Sequence, residues 1–400
     1  MFKSFTGNPT LMHDINRTGA LDVIRRMGPI SQSKIATILR LQPSTILRIV
    51  NGLLEDELVH PIGMEESGVK GGRRATLLQL NPKGAYAIGV DLHSSEILIV
   101  LLDLAGTLVG EIRKPCSSNS RTDDIIQNII NGIHELLNLH PGCQDRLTGI
   151  GVSFPGKVDT DQGFAIYASN FTYFKDVPLA QMLKDVFHIP VLVEHDMRVM
   201  AFGQQWFDGG SQNMLCLGFR SGIGLGIVMN GQLYRGSNQL AGDLGHIIVN
   251  PEGPLCNCGK YGCLEAISSE RAILNKFKEY SLNKRDMQNA QEETSIRDVS
   301  LAVLEGKTEV LEIVVEAAVH IGKTLYDLVR IFDPEKIIVG GTIIASSSEF
   351  LSTIQTTFNN MHPTYADFVP EIVTAQFGER SIAIGAAAIM LSKSFQPNQT

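Results

Sequence analysis

Between positions 241 and 265 the chain reads AGDLGHIIVNPEGPLCNCGKYGCLE, which places His246, Cys256, Cys258 and Cys263 within eighteen residues. One imidazole and three thiolates are a ligand set for tetrahedral zinc, a borderline-soft cation whose four-coordinate shell they fill. Gly259 and Gly262 permit the tight turns that a Cys-x-Cys-x4-Cys knuckle needs. No ligand position is left for water, so the metal is expected to be structural and the chemistry to sit beside it. Asp243 and Glu265 flank the cluster and could serve that neighbourhood. The alternative is three buried thiols near an unrelated histidine.

Outside the cluster only Cys116, Cys143 and Cys216 remain, an odd number that argues against a disulfide framework. A chain of 400 residues, 44% hydrophobic and 19% charged, is ordinary for a globular protein of two or three domains. The first ten residues, MFKSFTGNPT, lack the apolar run of a signal peptide, and the aliphatic run at 97–102 is too short to span a bilayer. A cytoplasmic location without membrane insertion is therefore expected. The net charge of −8 is unevenly spread: residues 1–80 hold ten Lys and Arg against seven Asp and Glu, a net of +3, which leaves −11 on the rest. A mildly basic head before an acidic body suits contact with a polyanion at the head alone.

The head reads as three helices. Leu21, Ile24 and Met27 mark one over 16–27, Gly28-Pro29 ends it, and Ser31 can cap a second that carries Ile35, Ala36 and Leu39. A third opens at Pro43, where a missing N–H costs nothing, and buries Ile46, Ile49, Val50, Leu53 and Leu54. Ser44, Thr45 and Arg48 fall on its opposite face. Helices joined by Arg40-Leu41-Gln42 make a helix-turn-helix pattern, and strand-like pieces at 58–59 and 76–80 around a loop with Lys70, Arg73 and Arg74 outline a wing. In such a module Ser44, Thr45 and Arg48 reach base edges or phosphate in the major groove, while the loop cations contact phosphate or the minor groove of double-stranded DNA. A three-helix packing module or dimerisation head with a solvated loop is the other reading.

From position 87 the pattern changes to strands at 87–91, 96–103, 107–112, 147–153 and 190–194, with helices at 123–137 and 198–205. A hairpin over 214–228 and 232–234 turns at Asn230-Gly231, and 310–332 is helical before a strand at 337–339. Alternating meanders and helices indicate mixed α/β layers.

The segments VDL-x4-ILIVLLDLAG at 90–106, GVSFPGKVD at 151–159, VEHD at 193–196, SGIGLGIVMNGQLYRG at 221–236, the cysteine stretch and DPEKIIVGG at 333–341 resemble the ROK family of bacterial sugar kinases and sugar-responsive repressors. The resemblance implies a two-lobed, actin-like and ribonuclease-H-like α/β body over 83–400 that binds effector and oligomerises. It also implies, for 1–82, the winged helix-turn-helix of the repressor branch. It places sugar-binding groups at Asn170, Glu194, His195, Asp196, Asp243, His246 and Glu265, with Asp196 at the position of the kinase base. His195 stands where the family usually has asparagine, and Asp243 replaces a glutamate, shortening its reach by about 1.5 Å.

Active members carry Asp-x-Gly-Gly-Thr for the nucleotide phosphates, whereas this chain reads Asp91-Leu92-His93-Ser94-Ser95. Missing side chains let backbone N–H groups approach phosphate, and here they are restored. Arg220-Ser221-Gly222-Ile223-Gly224 likewise replaces the usual Gly-Thr-Gly-Ile-Gly. The expectation is a repressor of carbohydrate genes that binds a sugar or sugar phosphate without phosphorylating it, acting as a homodimer or homotetramer on a palindromic operator. An ATP-dependent sugar kinase with an accessory head, or a repressor controlled by a partner protein, are the competing readings.

Overall fold

A computed structural model of the chain describes residues 9–65, 75–283, 294–361 and 368–395. Its N-terminal unit has helices Pro9–Met27, Gln32–Leu39 and Pro43–Glu55, and a three-stranded antiparallel sheet with Thr76–Leu80 between Ile30–Ser31 and Val59–Met64. The first helix starts at Pro9, well ahead of the expected Asn16. Pro43 opens the third, and Ile46, Ile49, Val50 and Leu53 are buried along it. Ser31 stands at the N-cap of the second, but its hydroxyl makes no capping bond and meets Ser33 Oγ at 3.1 Å. Lys70, Arg73 and Arg74 lie outside the described residues.

The body contains two five-stranded sheets of one topology. In the first, Tyr86–Leu92, Glu96–Asp103 and Leu108–Pro115 form an antiparallel meander, and Leu147–Phe154 and Val191–His195 extend it in parallel. In the second, Met214–Phe219, Ile223–Met229 and Gln232–Leu233 form the meander, extended in parallel by Lys336–Gly341 and Glu371–Thr374. Both sheets run third, second, first, fourth, fifth across their width, so the body is a structural duplication. The continuous strand expected over 214–228 is two strands, because the chain reverses at 220–222, where Arg220 N–H donates to the Gly222 carbonyl at 2.9 Å.

Two helices fill the space between the sheets. Asp196–Phe207 follows the first sheet but packs on the second, and Ser381–Leu391 follows the second but packs on the first. They meet where a Cβ on Gly203 would stand 2.7 Å from Gly385 Cα, an approach that only glycine permits. Every residue of Ser381–Leu391 is buried, so its sequence SIAIGAAAIML has no polar side to mark it as a helix.

The head is seated on this layer. One apolar cluster runs from Leu21 and Ile24 through Leu102 and Leu104 to Met390 and Phe395. Trp206, in the last turn of Asp196–Phe207, sets its ring edge-on to Phe395 at 5.0 Å. No described helix is long and apolar enough to cross a membrane.

Candidate functional site

A cleft of about 370 Å³ opens between the lobes. The structure brings six of the seven expected sugar-site residues to its wall: Asn170, His195, Asp196, Asp243, His246 and Glu265. Asp196 is the first residue of its helix, where free backbone N–H groups favour a negative charge. Its Oδ1 accepts from Met197 N–H at 2.7 Å and lies 3.2 Å from His195 Nδ1. Asn170 donates through Nδ2 to Ser221 Oγ at 3.3 Å, and its Oδ1 is buried without a partner. A buried unpaired acceptor facing a cleft is a place for a ligand donor. Glu265, on the short helix Leu264–Ser268, accepts from Arg271 Nη2 at 2.9 Å. A Cβ on Gly222 would stand 2.5 Å from Glu265 Oε2, so the turn of the second sheet must be bare for this carboxylate to sit there.

Glu194, expected among the sugar contacts, is not part of the wall. It is fully buried: Oε1 faces Arg198 Nε at 2.7 Å and accepts from Thr160 Oγ1 at 3.2 Å, and Oε2 accepts from Arg235 Nε at 2.9 Å. Arg198 is 2% exposed, and burial lowers its pKa while Glu194 supports its charge. This buried cluster ties the end of Val191–His195 to the 235–239 segment, whose Gln239 does line the cleft. Burial of one carboxylate in a run of three polar residues leaves no mark in sequence.

His246, Cys256, Cys258 and Cys263 converge: their ligand atoms all lie within 4.8 Å of one another. Cys256 Sγ is 3.6 Å from His246 Nδ1, and Cys258 Sγ is 3.6 Å from Cys263 Sγ. Thiolates about 2.3 Å from a tetrahedral zinc stand about 3.8 Å apart, so the donors present fit such an ion. The other ring nitrogen, Nε2, lies 3.9 Å from Asp243 Oδ1, on the cleft side. A turn closed by Gly259 N–H on the Cys256 carbonyl at 2.9 Å, with Gly259 at φ +86°, folds the knuckle.

A second cavity of about 380 Å³ adjoins the first, lined by Ser95, Glu96, Gly340, Gly341 and Thr342 among others. His93, Met197, Gly218 and Arg220 line both cavities and form the partition, with His93 and Arg220 its polar groups. Arg220 Nη1 and Nη2 each lie 3.0 Å from an oxygen of Asp91, a bidentate pair across the lobes, and Ser153 Oγ donates to Asp91 Oδ1 at 3.0 Å. His93 Nδ1 meets Ser95 Oγ at 2.8 Å, and its Nε2 is buried without a partner. Burial pushes the His93 pKa down to about 3, with Arg220 adding to the effect, so the ring is neutral at physiological pH. In the sequence Arg220 and His93 stand out only as lost glycines, since a pairing such as that of Arg220 with Asp91 across 129 residues is invisible there.

On the head, Ser44 and Arg48 are exposed and Thr45 is half-buried, on the face of Pro43–Glu55 opposite its apolar stripe.

Two lobes of one repeated topology around a polar cleft define a sugar-kinase-like α/β body. The chain belongs to the ROK family, whose family model matches residues 87–393. It is 28% identical over 387 residues to a xylose repressor of Bacillus spizizenii, covering 96% of each chain. It is 29% identical over 391 residues to the DNA-binding transcriptional dual regulator NagC of Escherichia coli K12, covering 96% of this chain and 94% of NagC. A crystal structure of a ROK family transcriptional regulator, described as a homologue of the E. coli MLC protein, matches 96% of both chains with a TM-score of 0.79 at 25% identity.

Proposed function

We propose that this chain is a sugar-responsive DNA-binding transcriptional regulator, a repressor of carbohydrate uptake or catabolism genes. One observation carries the reading: the helix Asp196–Phe207 has the cleft at its first residue and the head at its last turn. There Arg25 lies 3.9 Å over the Trp206 ring and donates to the Trp206 carbonyl, and Arg26 Nη1 donates to the Gly209 carbonyl at 3.0 Å. Ligand and head thus act on one element. The names of the relatives, repressors and a dual regulator, support the same reading.

In this reading residues 1–82 are a winged helix-turn-helix and residues 83–400 bind effector and form the homodimer or homotetramer. Ser44, Thr45 and Arg48 meet operator DNA in the major groove, and Lys70, Arg73 and Arg74 meet its backbone or minor groove. Asn170, His195, Asp196, Asp243, His246 and Glu265 pair with sugar hydroxyls, which both donate and accept. A structural zinc held by His246 Nδ1 and the three thiolates leaves His246 Nε2 free to donate to the sugar. Asp196 keeps the place of a base, but phosphoryl transfer needs an open route for phosphate, and the Asp91–Arg220 pair and His93 fill the partition.

Titrating the protein onto its own upstream DNA, with fluorescence anisotropy and a panel of sugars, tests this. One sugar should change DNA affinity by roughly 5- to 150-fold, the usual range of allosteric coupling. DNA binding unmoved by every sugar sinks the sensor and favours a partner protein as input. Sugar-dependent ADP release in a coupled assay would instead return the chain to the kinases. Arg25→Ala tests the route: calorimetric sugar affinity should hold, while the effect of sugar on DNA binding shrinks to about threefold or less. A full response in that variant would show that the helix is not the connection.

A further inference from the structure

The partition between the two cavities is a charged device. Arg220 lines both cavities, and phosphate is what a bidentate guanidinium ordinarily attracts. Here that fork is already occupied. Both nitrogens sit 3.0 Å from Asp91, whose side chain is 2% exposed, fixed on the strand Tyr86–Leu92 and further held by Ser153 Oγ.

We propose that Asp91 is a built-in counter-anion that sets the ligand's charge class: by holding Arg220 it makes the cleft a site for uncharged sugars and shuts out phosphate esters. The inference rests on the sugar-sensor reading and names the class of effector. A phosphate that recruited Arg220 would leave the Asp91 carboxylate buried with no opposite charge, which protein interiors penalise heavily. Burial works against the charge of Arg220, and the carboxylates around it, Asp91 foremost and then Asp196 and Glu270, more than offset that and raise its pKa.

The rest of the wall agrees. Of its other cations, Arg271 is engaged by Glu265 at 2.9 Å, and Lys157 sits exposed at the rim. Arg220, Arg271 and Lys157 face Asp196, Asp243 and Glu265 along the wall, with Asp91 behind, so three cations stand against four carboxylates. His93 Nε2, a buried atom at the partition without a partner, belongs to a neutral ring suited to a hydroxyl.

The test compares the full chain with Asp91→Asn, and with Asp91→Ser as a second variant that also vacates Arg220. Isothermal titration calorimetry with inorganic phosphate reads the partition without any sugar or DNA. The parent should bind phosphate too weakly to detect, and either variant should bind it at least about tenfold more tightly, since a freed guanidinium regains its charge-assisted partner. A panel of hexoses and their 6-phosphates on the parent should show the free sugar preferred by about tenfold or more. Phosphate binding to the parent, a parent preference for the 6-phosphate, or folded variants with no gain for phosphate would each overturn the proposal. If no sugar affects DNA binding, the sensor reading fails, and the phosphate titration still decides what Asp91 does.

Discussion

Replacing Arg198 with methionine lowers the stability of the chain by about 3 kcal/mol, the lower end of the loss when one partner of a buried ion pair is removed. Arg198 and Glu194 face each other at 2.7 Å with side chains 2% and 1% exposed, so the carboxylate left without Arg198 cannot turn to water. Arg235 still reaches Glu194 Oε2 at 2.9 Å, which keeps the loss from being larger. For a body of this size about 3 kcal/mol corresponds to a melting temperature lowered by roughly 4–5 °C. The double variant Glu194→Leu, Arg198→Met removes both buried charges, and Arg235, 38% exposed, can then point to solvent. It should recover most of the loss. Urea unfolding of the parent, the two single variants and the double variant closes the cycle, and a loss below about 1 kcal/mol for Arg198→Met would mean that the cluster is solvated.

The second large effect concerns the metal. Cys258 is exposed, so Cys258→Ser disturbs little packing and tests ligation alone. The variant should lose most of its zinc by elemental analysis and bind sugar about tenfold or more weakly, about 1.4 kcal/mol. The physical reason is that His246 is itself a ligand of the cluster, so a bound metal fixes its ring beside Asp243 on the cleft wall. Structural zinc supplies folding free energy outright, on the order of 10–16 kcal/mol in small metal-dependent folds, and a zinc in this cluster would put that energy into aiming side chains at the cleft. Chelation of the parent should reproduce the loss, and re-addition of zinc should reverse it. Full sugar responsiveness in metal-free protein would separate the knuckle from the pocket.

The sequence was legible where the determinants are local. The four residues of the His/Cys3 cluster, which converge in space, lie within eighteen positions and declare themselves, and the expected strands at 87–91 and 96–103 correspond to Tyr86–Leu92 and Glu96–Asp103 because apolar runs end at clear turns. The expected helix at 310–332 is Thr308–Phe332. It failed where position in space decides. Ser381–Leu391 has no amphipathic period because it is enclosed on every side. Glu194 sits one residue from cleft-lining His195, yet its side chain lies on the other side of the strand and is buried, as the pleat of a strand dictates. Arg220 was legible as a lost glycine and not as the partner of Asp91, because the pair exists only once two lobes have formed.

If the helix Asp196–Phe207 turns as a rigid body, its contact with Gly385 at Gly203 would be the fulcrum. Seven residues lie on the cleft side of that point and four on the side of the head. Turning about it, the helix is a lever with arms of about 10 Å and 6 Å at 1.5 Å per residue. A shift of ~1 Å imposed on Asp196 then emerges at Phe207 as ~0.6 Å in the opposite sense. Drawing the cleft end inward would push the head outward, so the mechanical sign of the response is set by the bare pivot, remote from both the ligand and the DNA.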